Sequence, residues 1–168
     1  MENELSTFHE WKWLLLERYC NFTGIFLHES GLLGASPDGI NEDSTLEIKC
    51  VYSHRQSTDL RVALQMPRRK SDRYVVNFYE KEKAWVINKD HEYYHQVQGQ
   101  LYLSNRTVGY FYVWAPRSQA AFRFQKDPDW GENLNLLIDF YVNRFLPFVL
   151  LHADLIPTRN YAWCMYEI

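Results

Sequence analysis

A chain of 168 residues that is 46% hydrophobic and 17% aromatic, with a net charge of −3, can bury one sizeable core but is short for two, so a single domain over residues 1–168 is expected, with a poor average charge match to a polyanion. The three cysteines, Cys20, Cys50 and Cys164, are odd in number and share no C-x-x-C spacing, which argues against a disulfide framework or a cysteine-rich zinc site and for a reducing, intracellular compartment. No apolar run approaches the roughly 20 residues that span a bilayer, and MENELSTFHE lacks the basic start and apolar stretch of a signal peptide, so a soluble nuclear or cytoplasmic protein with no membrane partner is expected.

In chain order, FHEWKWLLLERY (residues 8–19) carries apolar residues at helical spacing without Gly or Pro and predicts an amphipathic helix ending near Gly24. GIFLHE and SGLLGA then read as a short hairpin, SPDG as a turn, and STLEIKCV as a strand flanked by polar residues. A second helix is expected from about Ser53, and LQMPRRKSD (residues 64–72) is loop-like. Charge is biased here: Arg55, Arg61, Arg68, Arg69, Lys70 and Arg73, with His54 if protonated, stand against only Asp59 and Asp72. The plain reading of such a run is a solvated surface. YVVNFYE and KAWVIN predict extended segments, and residues 91–104 a helix. VGYFYVWAP and QAAFRFQKD predict two strands tightly joined at Pro116 to Ser118, and NLNLLIDFYVNRFLPFVLLHA a helix interrupted at Pro147. This order of elements belongs to an α/β domain with a central mixed sheet, a description that by itself names no function.

Two motifs compete to supply chemistry. HEYYH (residues 91–95) fits H-E-x-x-H, which on a helix presents two zinc-ligating histidines and a general-base glutamate. The pattern fixes only three positions, and no His or Glu between Gln96 and Phe124 offers a nearby third ligand. His95 then reads as an exposed helix residue.

The second motif lies in GASPDGINEDSTLEIKC (residues 34–50). Alternate side chains of a strand share a face, so Glu47 and Lys49 project together while Leu46 and Ile48 turn into the core. Asp38, in the Pro37 to Gly39 turn, returns toward the start of that strand, where its carboxylate can approach Glu47. Two adjacent carboxylates either share a proton or bind a hard cation such as Mg²⁺ through oxygen, with the backbone carbonyl of Ile48 as a further donor. A metal held there would polarise a phosphoryl oxygen, and Lys49 could orient the attacking water, an arrangement for phosphodiester hydrolysis. The bland alternative is a turn aspartate beside an exposed Glu/Lys pair on an edge strand.

GASPDG, the EIKC strand, and YYHQVQGQLYLSNR followed by GYFYVWAP together resemble the lambda-exonuclease or YqaJ-type viral recombinase group of the PD-(D/E)XK nucleases, over roughly residues 8–150. The resemblance implies a restriction-endonuclease-like core with a central mixed β-sheet flanked by helices. It also implies a Mg²⁺-dependent deoxyribonuclease, with Mn²⁺ as a substitute, that degrades one strand of double-stranded DNA from its 5′ ends in recombination or repair. By that resemblance Asp38 and Glu47 are metal ligands with the Ile48 carbonyl, Lys49 is the catalytic lysine, and Gln96 is the helix glutamine bordering the site. Tyr93 opens the Y-x-x-Q motif on the substrate side, and Arg55 falls where a terminal 5′-phosphate is received. A homotrimer and a partner single-strand annealing recombinase are likewise implied.

The family's glutamate on its first helix has no counterpart here, because the matching position is Lys12 and Glu10 lies about 200° away round a helix. A nuclease-derived DNA-end-binding module with impaired turnover is the alternative this raises. The chain also starts at this helix, whereas family members carry an upstream region that grips DNA, which reads as a trimmed version. Among the aromatics, Tyr102 on the helix and Tyr110, Phe111, Tyr112 and Trp114 on the strand are expected to pack in the core rather than to stack on bases.

Overall fold

The computed structural model describes residues 24–66, 74–79, 81 and 84–152. The first helix expected from sequence, with Glu10 and Lys12, lies outside the described residues, as do Arg68, Arg69, Lys70, Arg73, Cys20 and Cys164. Two compact units divide after Gly131.

In the first unit, β1 (Phe26–Leu27) and β2 (Gly34–Ala35) form the expected antiparallel hairpin. The central sheet has the order β3-β4-β7-β8, built from Gly39–Ile40, Ser44–Cys50, Val108–Ala115 and Ser118–Gln125. The β4–β7 pair is parallel and the others antiparallel, so the sheet is mixed. β5 (Val76–Tyr79) and β6 (Ala84–Ile87) pair separately as an antiparallel hairpin. The helix expected from Ser53 shrinks to a 3₁₀ turn (Tyr52–His54) and one turn of helix, α1 (Leu60–Ala63), capped by Asp59, whose side chain accepts from the amides of Arg61 and Val62. A run of polar residues, Ser53 to Asp59, offers no apolar stripe to dock a longer helix before Leu60, which is fully buried.

The helix α2 (Glu92–Leu103) packs on the sheet face that buries Phe111, Val113 and Phe122. Residues four apart share a helix face, and three such pairs do separate work. Val97 and Leu101 sit over Gly109 of β7, where an added Cβ would lie 2.8 Å from Val97 Cγ1 and 3.5 Å from Leu101 Cδ1. Tyr94 and Gln98 turn toward the end of β8: Gln98 Nε2 donates to the Gln125 carbonyl, and the Asp127 amide donates to Gln98 Oε1. Gln96 and Gln100 face β4. Of the strand aromatics, Phe111 is core as expected, Tyr110 and Tyr112 are half-buried, and Trp114 is exposed because alternation turns even positions of β7 to the opposite face.

A 3₁₀ turn at Pro128–Gly131 is the last element of the first unit. The second unit holds α3 (Glu132–Phe140), a π turn (Tyr141–Phe145) and α4 (Leu146–Leu151). Pro147 does not interrupt this run. The wider π turn, in which the Leu146 amide donates to the Tyr141 carbonyl, lies immediately before the proline and absorbs the mismatch that a residue without an N–H introduces. The expectation that no stretch reaches bilayer length is also corrected: the helical run Pro128–Leu151 is long and apolar enough to cross a membrane by length and composition. In the sequence Asp139, Arg144 and Pro147 divide its apolar residues into shorter stretches.

Gly109 sets the approach of α2 to the sheet. Gly109→Ala forces a stiff β-branched Val97 aside, and should lower unfolding stability by about 1–3 kcal/mol, measured by urea denaturation; an unchanged midpoint would show that the helix has room to spare.

Candidate active site

β4 brings the site together. β3 pairs with it only as far as Gly39 opposite Leu46, so the edge of β4 beyond Leu46 has no strand partner among the described residues. Asp38, in the turn just before β3, occupies that edge: its Oδ2 accepts from the Ile48 amide at 2.7 Å. A strand residue sends its N–H and C=O to the same edge, so the Ile48 carbonyl leaves β4 on the side of Asp38. Ile48 itself is 38% exposed, which corrects the expectation that it turns into the core with Leu46, at 3%. The core on that face thins out where β3 ends.

Glu47 points the other way, under α2, and is only 4% exposed. A buried carboxylate is costly unless paired and hydrogen-bonded. Its Oε1 accepts from Lys49 Nζ at 2.5 Å and from Gln96 Nε2 at 2.6 Å, and its Oε2 accepts from Gln100 Nε2 at 2.5 Å. Glu47 and Lys49 thus share a face as the alternation required, but the pair is roofed by a helix rather than lying bare on an edge strand. Lys49 Nζ also stands 5.2 Å from the Tyr93 ring centre, and that ring packs 5.4 Å from Phe111. Sequence reasoning missed Gln100; its signal was the spacing of four from Gln96 on a helix already expected.

Gln100 has an asymmetric environment. Its Oε1 is buried with no hydrogen-bond partner, a state that costs about 1–3 kcal/mol. Turning the amide over offers no relief, because it would set oxygen against the Glu47 carboxylate.

Arg55 follows the 3₁₀ turn after β4. It is exposed, its Nη1 donates to the Tyr52 carbonyl at 3.3 Å, and its guanidinium lies 4.3 Å from the Tyr52 ring centre. No described hydrogen bond or ion pair joins it to Asp38, Glu47 or Lys49.

The H-E-x-x-H residues do not assemble a zinc site. His91 is the N-cap of α2, its Nδ1 accepting from the Tyr93 amide at 3.1 Å, and is therefore not on the helical face with His95. His95 is exposed, and its Nδ1 accepts from Trp130 Nε1 at 3.0 Å. No group of three or more His, Cys, Asp or Glu able to hold a metal occurs among the described residues. Asp38 and Glu47, from neighbouring positions at β4, and the Ile48 carbonyl are hard oxygen donors of the kind Mg²⁺ takes, with waters completing its shell.

No protein-family model matches the chain, and no curated protein matches it by sequence. Among solved structures it is similar to LHK-Exo in complex with dAMP, with a TM-score of 0.57 at 17% identity, covering 88% of this chain and 68% of that one. This chain has the fold of the PD-(D/E)XK nucleases. A second structure, the alkaline exonuclease LHK-Exo from Laribacter hongkongensis, aligns at 18% identity and a TM-score of 0.48 over 88% of this chain and 66% of that one. The likeness is one of fold; within this chain the candidate site lies where the mixed sheet and α2 meet.

A clamp on the far side of α2 holds it in place. Asp127 Oδ2 accepts from Lys89 Nζ at 2.5 Å and from the Tyr94 hydroxyl. The hydrogen bond from Lys89, with that from Tyr94, holds the Asp127 carboxyl down to about 2 from 3.8. Burial, then the neighbouring Asp127, pushes the Tyr94 hydroxyl well above its ordinary range. A depressed carboxyl stabilises the fold above its unfolded pKa, and that contribution is lost as pH falls through the folded value. Wild-type stability should therefore fall between about pH 4 and 2 by an increment that Asp127→Asn lacks. Acid denaturation followed by circular dichroism checks this, and identical pH profiles would remove the clamp.

Proposed function

We propose that this chain is a Mg²⁺-dependent deoxyribonuclease that removes nucleotides from the 5′ ends of linear double-stranded DNA. The observation that supports the reading is Asp38 tied to the Ile48 amide of β4, next to a Glu47 that is paired with Lys49 and held by Gln96 of α2.

Asp38, Glu47 and the Ile48 carbonyl would hold the cation, with Mn²⁺ as a substitute. When bound, the metal supplies Lewis acidity, polarising a phosphoryl oxygen and lowering the pKa of a water. The chain's own groups do the rest. Lys49 spends one of its three N–H donors on Glu47, leaving the others to orient the attacking water and to offset negative charge developing on the phosphate. Gln96 keeps Oε1 of Glu47 fixed from the helix side. Tyr93, beside Lys49, walls the substrate side. Arg55 rests on the Tyr52 ring with one Nη1 donor on the Tyr52 carbonyl, and the other donors of its guanidinium would receive a terminal 5′-phosphate, which such a group can grip through two oxygens at once.

LHK-Exo was solved with dAMP, a 5′-mononucleotide, which supports mononucleotides as the product. Lys12, standing where the family carries an acid, favours a slow enzyme. A homotrimer acting with a single-strand annealing recombinase, inside the cell, completes the proposal.

The test is digestion of end-labelled linear duplex DNA with and without Mg²⁺. Wild type should release mononucleotides only with the metal, and Asp38→Asn or Glu47→Gln should cut the rate on the order of 100-fold or more, beyond what loss of an outer-shell partner brings. Arg55→Lys should erase most of the preference for 5′-phosphorylated over 5′-hydroxyl ends. End binding without release in the wild type would favour a DNA-end-binding module; full activity in both carboxylate variants would remove the proposed site.

A further inference from the structure

We propose that Gln100 is a positioning residue that holds the metal-ligating carboxylate of Glu47 in its working orientation, an assignment that rests on the Mg²⁺ reading of the site. A carboxylate has about four lone-pair positions over two oxygens. On Glu47, Lys49 and Gln96 both donate to Oε1, and Gln100 alone donates to Oε2. Gln100 Nε2 at 2.5 Å is thus the one donor on Oε2, and it sets the plane of the carboxylate from its buried end.

The environment of Gln100 supports a role beyond packing. The side chain is 2% exposed, yet only one end of its amide is used, since Oε1 has no partner. A methionine or leucine of similar volume would fill the same space without an orphaned acceptor. A glutamine at this position therefore supplies its Nε2 donor at the expense of packing. Its backbone is pinned as well: the Gln100 carbonyl accepts from the Ser104 hydroxyl at 2.6 Å and from the Ser104 amide at 3.0 Å. The donor is held on the last turns of α2, whose approach to the sheet Gly109 sets.

The role differs from that of Gln96. Gln96 shares Oε1 with Lys49, so its loss leaves that oxygen a cationic donor. Loss of Gln100 leaves Oε2 with none, and the carboxylate is then held through Oε1 alone, so its plane can tilt about that anchored oxygen.

The experiment measures Mn²⁺ binding by calorimetry, without DNA, to the full chain and to Gln100→Met and Gln100→Ala. Thermal unfolding of each variant identifies any that fail to fold, and the volume-conserving methionine guards against that outcome. Positioning predicts that cation affinity falls by about 10-fold or more in both variants, as for other outer-shell partners of metal ligands. In the DNA digestion assay the half-saturating Mg²⁺ concentration should rise by the same factor, while the rate at saturating Mg²⁺ stays within a few-fold of wild type. Folded variants that bind Mn²⁺ as tightly as the wild type overturn the assignment and leave the metal site standing. A lower rate at saturating Mg²⁺ with unchanged affinity overturns it too. A wild type that binds neither cation removes the Mg²⁺ reading, and this inference with it.

Discussion

The structure turns on a carboxylate that has been taken out of water. Glu47 is buried beneath α2, and each of its oxygens is met by at least one donor from Lys49, Gln96 or Gln100. Removing one partner of a buried, paired charge typically costs about 3–5 kcal/mol, so the helix cannot lift from β4 without exposing or orphaning that charge. The rest of the unit makes this contact attainable. Gly109 lets α2 approach the sheet, Gln98 joins its middle to the end of β8, and the Asp127–Lys89–Tyr94 cluster secures its first turns. One helix thus meets three separate demands through three pairs of residues spaced by four.

The same contact explains why the open strand edge is useful. With Glu47 fixed from above and Asp38 tied to the Ile48 amide from the side, both carboxylates of the proposed site are held in place by the fold itself. Electrostatic groups held in place in advance are worth more to catalysis than groups that must reorganise during the reaction. The short length of β3 matters here. A longer strand would have paired with β4 past Leu46 and consumed the backbone groups that the edge leaves open.

Much of this architecture is legible in the sequence. Alternation found β4, β7 and β8 to within a residue or two, and the helix expected over residues 91–104 is α2, Glu92–Leu103. E-x-K on a strand placed Glu47 and Lys49 on one face, and SPDG placed Asp38 beside that strand. What the letters could not carry is which face a distant element covers. Glu47 looks like a surface residue in its own strand; it is buried because a helix almost fifty residues later lies across it. Ile48 looks like core and is not, because β3 stops short. Gln100 looks like any polar helix residue until its partner on β4 is known. Pro147 reads as a break, and only the π turn before it shows why the helix continues. In each case a contact remote in sequence, or a local change of hydrogen-bond pattern, overrode the local signal.

The central claim is that a hard cation is held at the edge of β4. Crystals grown with Mn²⁺ and measured for anomalous scattering test it most directly. The account predicts a manganese peak bounded by the carboxylates of Asp38 and Glu47 and the carbonyl of Ile48, absent in Asp38→Asn. A peak seated instead on His91 or His95, or a protein that degrades DNA while the β4 edge holds no manganese, would contradict it.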